Sequence, residues 1–206
     1  NKAWEEAGFE PINVDDKIII YDAHQSLPNI PENILPVFIQ AQQAFGTGTH
    51  QTTQMIISTL LSQKLNGKCV LDCGCGTGIL GIVASKLGAN DIMAYDIDEW
   101  SVENARHNAQ INQVNNLHVL HGDAKILSQI NGLFDVVVAN INRNILLNDM
   151  PMFREIMSED AVLILSGFYD DDIPMLKEKA SSLNLSLTEV KEKDEWRACV
   201  FHTEKQ

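Results

Sequence analysis

The apolar positions of this chain fall into short runs separated by amphipathic stretches, an alternation that predicts strand and helix in turn. Cys69 to Asp72, Ile92 to Asp96, Leu117 to His121, Phe134 to Asn140 and Ala161 to Ser166 read as strands. Between them, Ile79 to Leu87 runs as a helix up to Gly88. Asp98 to Ile111 carries acids in its first turn and Val102, Ala105 and Ala109 on one helical face. Helices also follow around Met152 to Met157 and near Ile173 to Leu183, which makes the pattern that of a parallel sheet with crossover helices. The three consecutive valines at 136 to 138 suit a central strand buried on both faces. Ser186 to Lys191 and Arg197 to His202 flank Lys193-Asp194-Glu195 as a hairpin that closes the sheet edge. The predicted fold is therefore α/β: a seven-stranded, mostly parallel, Rossmann-like sheet with a terminal β-hairpin. Upstream, Lys17 to Tyr21 reads as a strand, and Pro28, Pro31 and Pro36 exclude a continuous helix across residues 26 to 36. Residues 1–36 are read as a linker with a small sheet element, Trp4 packing onto the main domain, and residues 37–206 as that domain.

The junction between the first main strand and its helix carries the chemistry. Glycines at 74, 76 and 78 keep side chains away from the backbone, and the helix behind them presents free N–H groups at its start. The dinucleotide fingerprint spaces its glycines G-x-G-x-x-G and seats a pyrophosphate there. Here the spacing is G-x-G-x-G behind Asp72, whose carboxylate would face an anion but suits a ligand with an amino group and a sulfonium. Asp72 to Gly78 thus resembles the first motif of S-adenosylmethionine-dependent methyltransferases. Asp96 ends the next strand 96−72 = 24 residues later, where an acid accepts from both ribose hydroxyls of a nucleoside.

Composition narrows the partners. A net charge of −13 disfavours a phosphate backbone as partner and favours a cationic substrate, so no direct nucleic-acid binding is expected. No apolar run approaches the roughly 20 residues that span a bilayer, and the N-terminus lacks a basic and apolar leader, so a cytoplasmic address and no membrane association are expected. Cys69, Cys73 and Cys75 cluster without a second Cys or His pair at ligand spacing, and with Cys199 they read as packing residues rather than a metal site.

Three further segments are ambiguous on their residues alone. Ala44 to Thr53 has two glycines and four threonines; it reads equally as a loop over a ligand or as a surface turn in which Thr52 or Thr53 caps the next helix, and His50 has no assigned role. Asp123, after Gly122, either accepts from an adenine amino group or caps a helix. Asn140 ends the valine strand, so Gly74, Asp96 and Asn140 share the carboxyl rim of the sheet.

Taken together, residues 44–53, 72–80, 96–98, 137–141, 165–167 and 195–196 resemble the PrmA-type ribosomal protein methyltransferases. The resemblance implies a class I S-adenosylmethionine methyltransferase, with S-adenosylmethionine as donor and amino groups of ribosomal protein L11 as acceptors. Matched positions imply Thr53, Gly74, Asp96 and Asn140 at the donor, with Asp72, Gly76 and Asp123 beside them. Gln51 stands where a proline is usual, and residues 40–43 replace an Asp-Pro-Gly type approach. The family also carries an N-terminal recognition domain, so the chain is read as the catalytic part of a longer protein, and as a monomer. The mechanism expected is in-line displacement by a neutral amine, with Asn140 as the catalytic residue that aims its lone pair. A methyltransferase acting on RNA or a small molecule, or a non-catalytic donor-binding module, are the alternatives.

Overall fold

The computed structural model describes residues 8–25, 29–41 and 51–204. Its centre is a seven-stranded sheet built from β4 (Cys69–Cys73), β5 (Asp91–Asp96), β6 (Leu117–His121), β7 (Phe134–Asn140), β8 (Met157–Tyr169), β9 (Leu185–Lys193) and β10 (Trp196–Thr203). Across the sheet the order is β6-β5-β4-β7-β8-β10-β9. The first five strands run parallel, while β10 pairs antiparallel with both β8 and β9. The chain moves outward from β4 to β6, then returns to the other side of β4 with β7. That reversal opens a crevice at the carboxyl ends of β4, β5 and β7, where ligands of open parallel sheets bind.

Helices cover both faces. α1 (Gln51–Ser62), α2 (Ile79–Lys86) and α3 (Glu99–Ile111) lie on one side, α4 (Arg143–Glu155) and α5 (Ile173–Ser182) on the other. The sheet's pleat divides its side chains accordingly. Val70, Val136 and Val138 join the core under the first group, and Leu71, Cys73, Val137 and Ala139 join the core under the second. This is the two-faced burial that the unbroken valines predicted. Strand β8 is 13 residues long, well beyond the apolar run at 161–166, because Met157 already pairs with Phe134 of β7 at one end and pairing with β10 continues to Tyr169 at the other.

Among the described residues the N-terminal region holds three strands rather than one. β1 (Ile12–Val14) pairs antiparallel with β2 (Ile18–Asp22), and β3 (Leu35–Ile39) pairs parallel with β2. The segment read as an extended connection therefore ends in an edge strand, a position that tolerates Pro36. Val14, Ile18, Ile20, Val37 and Ile39 share one core with α1 and α2, so this sheet is packed against the main one.

The free edge of β3 is covered by α3. Asn112 accepts from Phe38 N at 2.8 Å and donates to Phe38 O at 2.7 Å; Asn108 accepts from Gln40 N at 2.9 Å. Asn104 donates to Gln40 O at 2.7 Å. Asparagines spaced by one helical turn thus take the place of a fourth strand and satisfy an edge that would otherwise be open. Asn108 also donates to Thr77 O at 2.9 Å, tying β3 to the glycine turn. Among the described residues no helix is long and apolar enough to cross a membrane.

Candidate active site

Gly74 and Gly76 adopt the left-handed region, with φ of 67° and 55°, and the turn closes where Gly78 N–H donates to Cys75 O at 2.8 Å. A Cβ at Gly74 would stand 2.8 Å from Ile141 Cγ2, so glycine is required by conformation and by space. Gly78, at the N-cap of α2, has no side chain to cap the helix. Asp72 does it from the strand, accepting from Gly81 N–H at 3.2 Å. Burial, at 1% exposure, pushes the Asp72 carboxyl up to about 7; the Gly81 bond opposes the shift and Asp96 adds to it.

Asp96 is half-buried at the end of β5. Its Oδ2 accepts from Gly76 N–H at 2.9 Å and its Oδ1 from Asp98 N–H at 2.9 Å. Each oxygen keeps a lone pair for a further donor, which is what a ribose diol needs. Asp98 in turn caps α3 by accepting from Trp100 N–H at 3.0 Å. Gly122 N–H donates to Asp96 O at 2.9 Å, bringing the end of β6 alongside.

Asn140 stands beside Ser166 in register. Its Nδ2 donates to Thr53 Oγ1 at 3.3 Å, joining the first described turn of α1 to the rim. Thr52 and Thr53 are therefore buried residues inside the helix, which begins at Gln51 in the described chain, and not its caps. Gly167 explains the approach of the neighbouring loop: at φ 104° its Cβ would lie 2.6 Å from Ile141 O.

These elements enclose a cavity of about 460 Å³, within the range of small-molecule sites. Thr53, Gly74, Gly76, Asp96, Asp123 and Asn140 all line it. Asp72 does not; it lies under the turn and acts on the ligand seat by holding the helix start, which corrects its reading as a direct contact. Asp123 lines the cavity and also caps the short helix Ala124–Gln129, accepting from Lys125 N–H at 2.9 Å. The predicted loop at 44–50, with His50, lies outside the described residues. Sequence reasoning missed Tyr95, Ile97, Ser101, Ile145 and Asp149 on the cavity wall. Nothing in their local pattern marks them, since Tyr95 and Asp149 meet only across the sheet and α4.

A glycine turn, a strand-end acid with free lone pairs and an asparagine at the next strand end, on a sheet with this strand order, define a class I S-adenosylmethionine-dependent methyltransferase. The model of the family described as ribosomal protein L11 methyltransferase (PrmA) matches residues 1–204. A protein named ribosomal protein L11 methyltransferase from Porphyromonas gingivalis is 45% identical over 98% of this chain and 68% of its own length. One of the same name from Phocaeicola vulgatus is 46% identical over 98% of this chain and 70% of its own. The chain belongs to the PrmA family. Among solved structures, a ribosomal protein L11 methylase from Lactobacillus delbrueckii superposes with a TM-score of 0.87 at 26% identity, covering 96% of this chain and all of that one (100%). Magnesium protoporphyrin IX methyltransferase from Synechocystis, with bound SAM, shares the fold at a TM-score of 0.60 and 21% identity, over 75% of this chain and 79% of that one. S-adenosylmethionine is the cofactor, and the side-chain-free turn and the open lone pairs of Asp96 fit it.

Proposed function

We propose that the chain methylates lysine side chains and the N-terminal amine of ribosomal protein L11, in the cytoplasm and as a monomer. The observation that carries this reading is the position of Asn140 on the cavity wall with its Nδ2 committed to Thr53. That commitment leaves Oδ1 to accept from an amine N–H and to aim the nitrogen lone pair. S-adenosylmethionine supplies a methyl group made electrophilic by its sulfonium. Gly74 and Gly76 let the donor lie against the backbone, and Asp96 holds its ribose. A lysine ammonium, with a pKa of about 10.4, has no lone pair, so its proton leaves before transfer. Entry into a desolvated site favours the neutral amine. The site is built for positioning more than for acid-base work.

The net charge of −13 supports a basic protein as acceptor and argues against direct contact with RNA. The division into residues 1–36, linker and small sheet element, and 37–206, catalytic domain, belongs to the same proposal. Intact-mass measurement of ribosomal protein L11 after incubation with the protein and methyl donor tests it. Increments of one methyl group on amines are expected. Methylation of ribosomal RNA or of a small molecule, with L11 unchanged, would overturn the reading.

A further inference from the structure

The glycine turn of the donor seat is held from α3 as well as from Asp96. Ser101 lines the cavity, Ala105 stands where a Cβ added at Gly78 would lie 2.9 Å from its own, and Asn108 donates to Thr77 O at 2.9 Å. Spaced by four and then three residues, these side chains form one stripe of the helix laid along the turn. Asn108 is fully buried, at 0% exposure, and Gln40 orients its amide. Its Oδ1 accepts from Gln40 N–H at 2.9 Å, so its Nδ2, which also reaches Gln40 O at 3.1 Å, is the end that faces Thr77 O.

Thr77 O has a particular place in the chain. It stands four residues before Gly81, whose N–H it would receive if α2 began earlier. Here Asp72 takes Gly81 N–H at 3.2 Å and Asn108 engages Thr77 O, so a side chain is set on each group of that pair. α2 accordingly starts at Ile79, and Gly78 stays in the left-handed region at φ 84°. Glycine loses more chain entropy on ordering than any other residue, so a turn with left-handed glycines at 74, 76 and 78 keeps one shape only when it is fastened from outside. Asp96 fastens Gly76 N–H, and Asn108 fastens the carbonyl of the next residue.

We infer that Asn108 is a positioning residue of the methyl-donor seat. By holding Thr77 O it keeps the glycine turn in the shape that receives the donor, so less binding energy is lost to ordering the turn. It does this from beneath, since Asn108 itself does not line the cavity. The inference deepens the donor-site reading and rests on it.

Asn112 supplies the comparison, because its bonds of 2.8 and 2.7 Å to Phe38 and of 2.7 Å to Asn108 O go to the backbone of β3 and α3. Without ligand, Asn108→Ala and Asn112→Ala should both melt below the unmodified protein, as each strips buried hydrogen bonds. Calorimetry with S-adenosylhomocysteine should separate them: binding weakens about fivefold to tenfold in Asn108→Ala and is unchanged in Asn112→Ala. Amide exchange of the ligand-free proteins gives a second readout. Gly76 and Gly78 N–H should exchange faster in Asn108→Ala and at the original rate in Asn112→Ala. Unchanged affinity in Asn108→Ala, or an equal loss in both variants, would make Asn108 a packing residue and overturn the inference. Should Asn108→Ala fail to fold, Asn108→Ser, whose hydroxyl is too short to reach Thr77 O, carries the same comparison. Failure of the unmodified protein to bind S-adenosylhomocysteine would instead overturn the donor site itself.

Discussion

Gly76 N–H donates a 2.9 Å hydrogen bond to Asp96 Oδ2, so the acid that ends β5 also fastens the glycine turn that ends β4. The residue expected to hold the ribose also shapes the glycine turn.

Asp96→Ala should therefore weaken S-adenosylmethionine by about 1–3 kcal/mol, since a charged acceptor is lost and the turn loosens with it. Calorimetric titration measures this directly. Unchanged affinity would remove Asp96 from the donor site.

Thr53→Val keeps the shape of the side chain but removes the acceptor of the 3.3 Å bond from Asn140 Nδ2. Freed of that bond, the amide can turn away from the acceptor amine. We expect turnover to fall roughly fivefold to tenfold, about 1 kcal/mol in the barrier, with a small effect on donor affinity. Single-turnover methyl transfer with saturating donor checks it; a loss confined to donor binding would place Thr53 on the donor and not on Asn140.

Two glycines at left-handed φ give a controlled pair. Gly67, at φ 75°, has nothing within 4 Å of an added Cβ, whereas Gly74, at φ 67°, has Ile141 Cγ2 at 2.8 Å. Gly67→Ala should lower stability by about 1–2 kcal/mol through backbone strain alone and leave donor affinity unchanged. Gly74→Ala should lower both. Thermal melts with and without S-adenosylhomocysteine distinguish the cases, and equal ligand-induced shifts in the two variants would count against Gly74 as part of the seat.

Burial raises the Asp72 carboxyl from 3.8 to about 7, with Gly81 N–H opposing and Asp96 reinforcing. Between those values the folded state holds the proton that the unfolded chain has released, so this group's contribution to stability falls as pH rises through the window. The Asp72→Asn variant keeps an acceptor for Gly81 without a titration there. Relative to it, the unmodified protein should lose melting temperature from about pH 4 to about pH 7 and hold a constant difference above. A difference that stays flat across the window would mean that Asp72 is charged throughout.

Much of this was legible in the residues. Periodicity placed all seven strands of the main sheet because each carries its own apolar run, and the glycine turn and Asp96 fall on one cavity because each stands at the end of a strand. Local chemistry could not rank some roles. Asp72 looked like a contact to the ligand until the turn of α2 placed Gly81 N–H against it, and the threonines looked like caps until α1 was seen to start before them. Strand order has no local signature either, so only pairing showed β10 lying between β8 and β9 rather than at the edge.

What the sequence determined alone was the kind of protein: alternating apolar runs dictate a parallel sheet, and glycines followed by a strand-end acid mark its carboxyl rim, since both effects depend on neighbours along the chain. What the tertiary structure decided was every relation across the chain. Asn108 reaches Gln40 and Thr77, Asn140 reaches Thr53, and Tyr95 and Asp149 meet at the inner wall of one cavity. Hydrogen bonds between residues 31 to 87 positions apart depend on how helices pack on the sheet, and that packing is a property of the whole core.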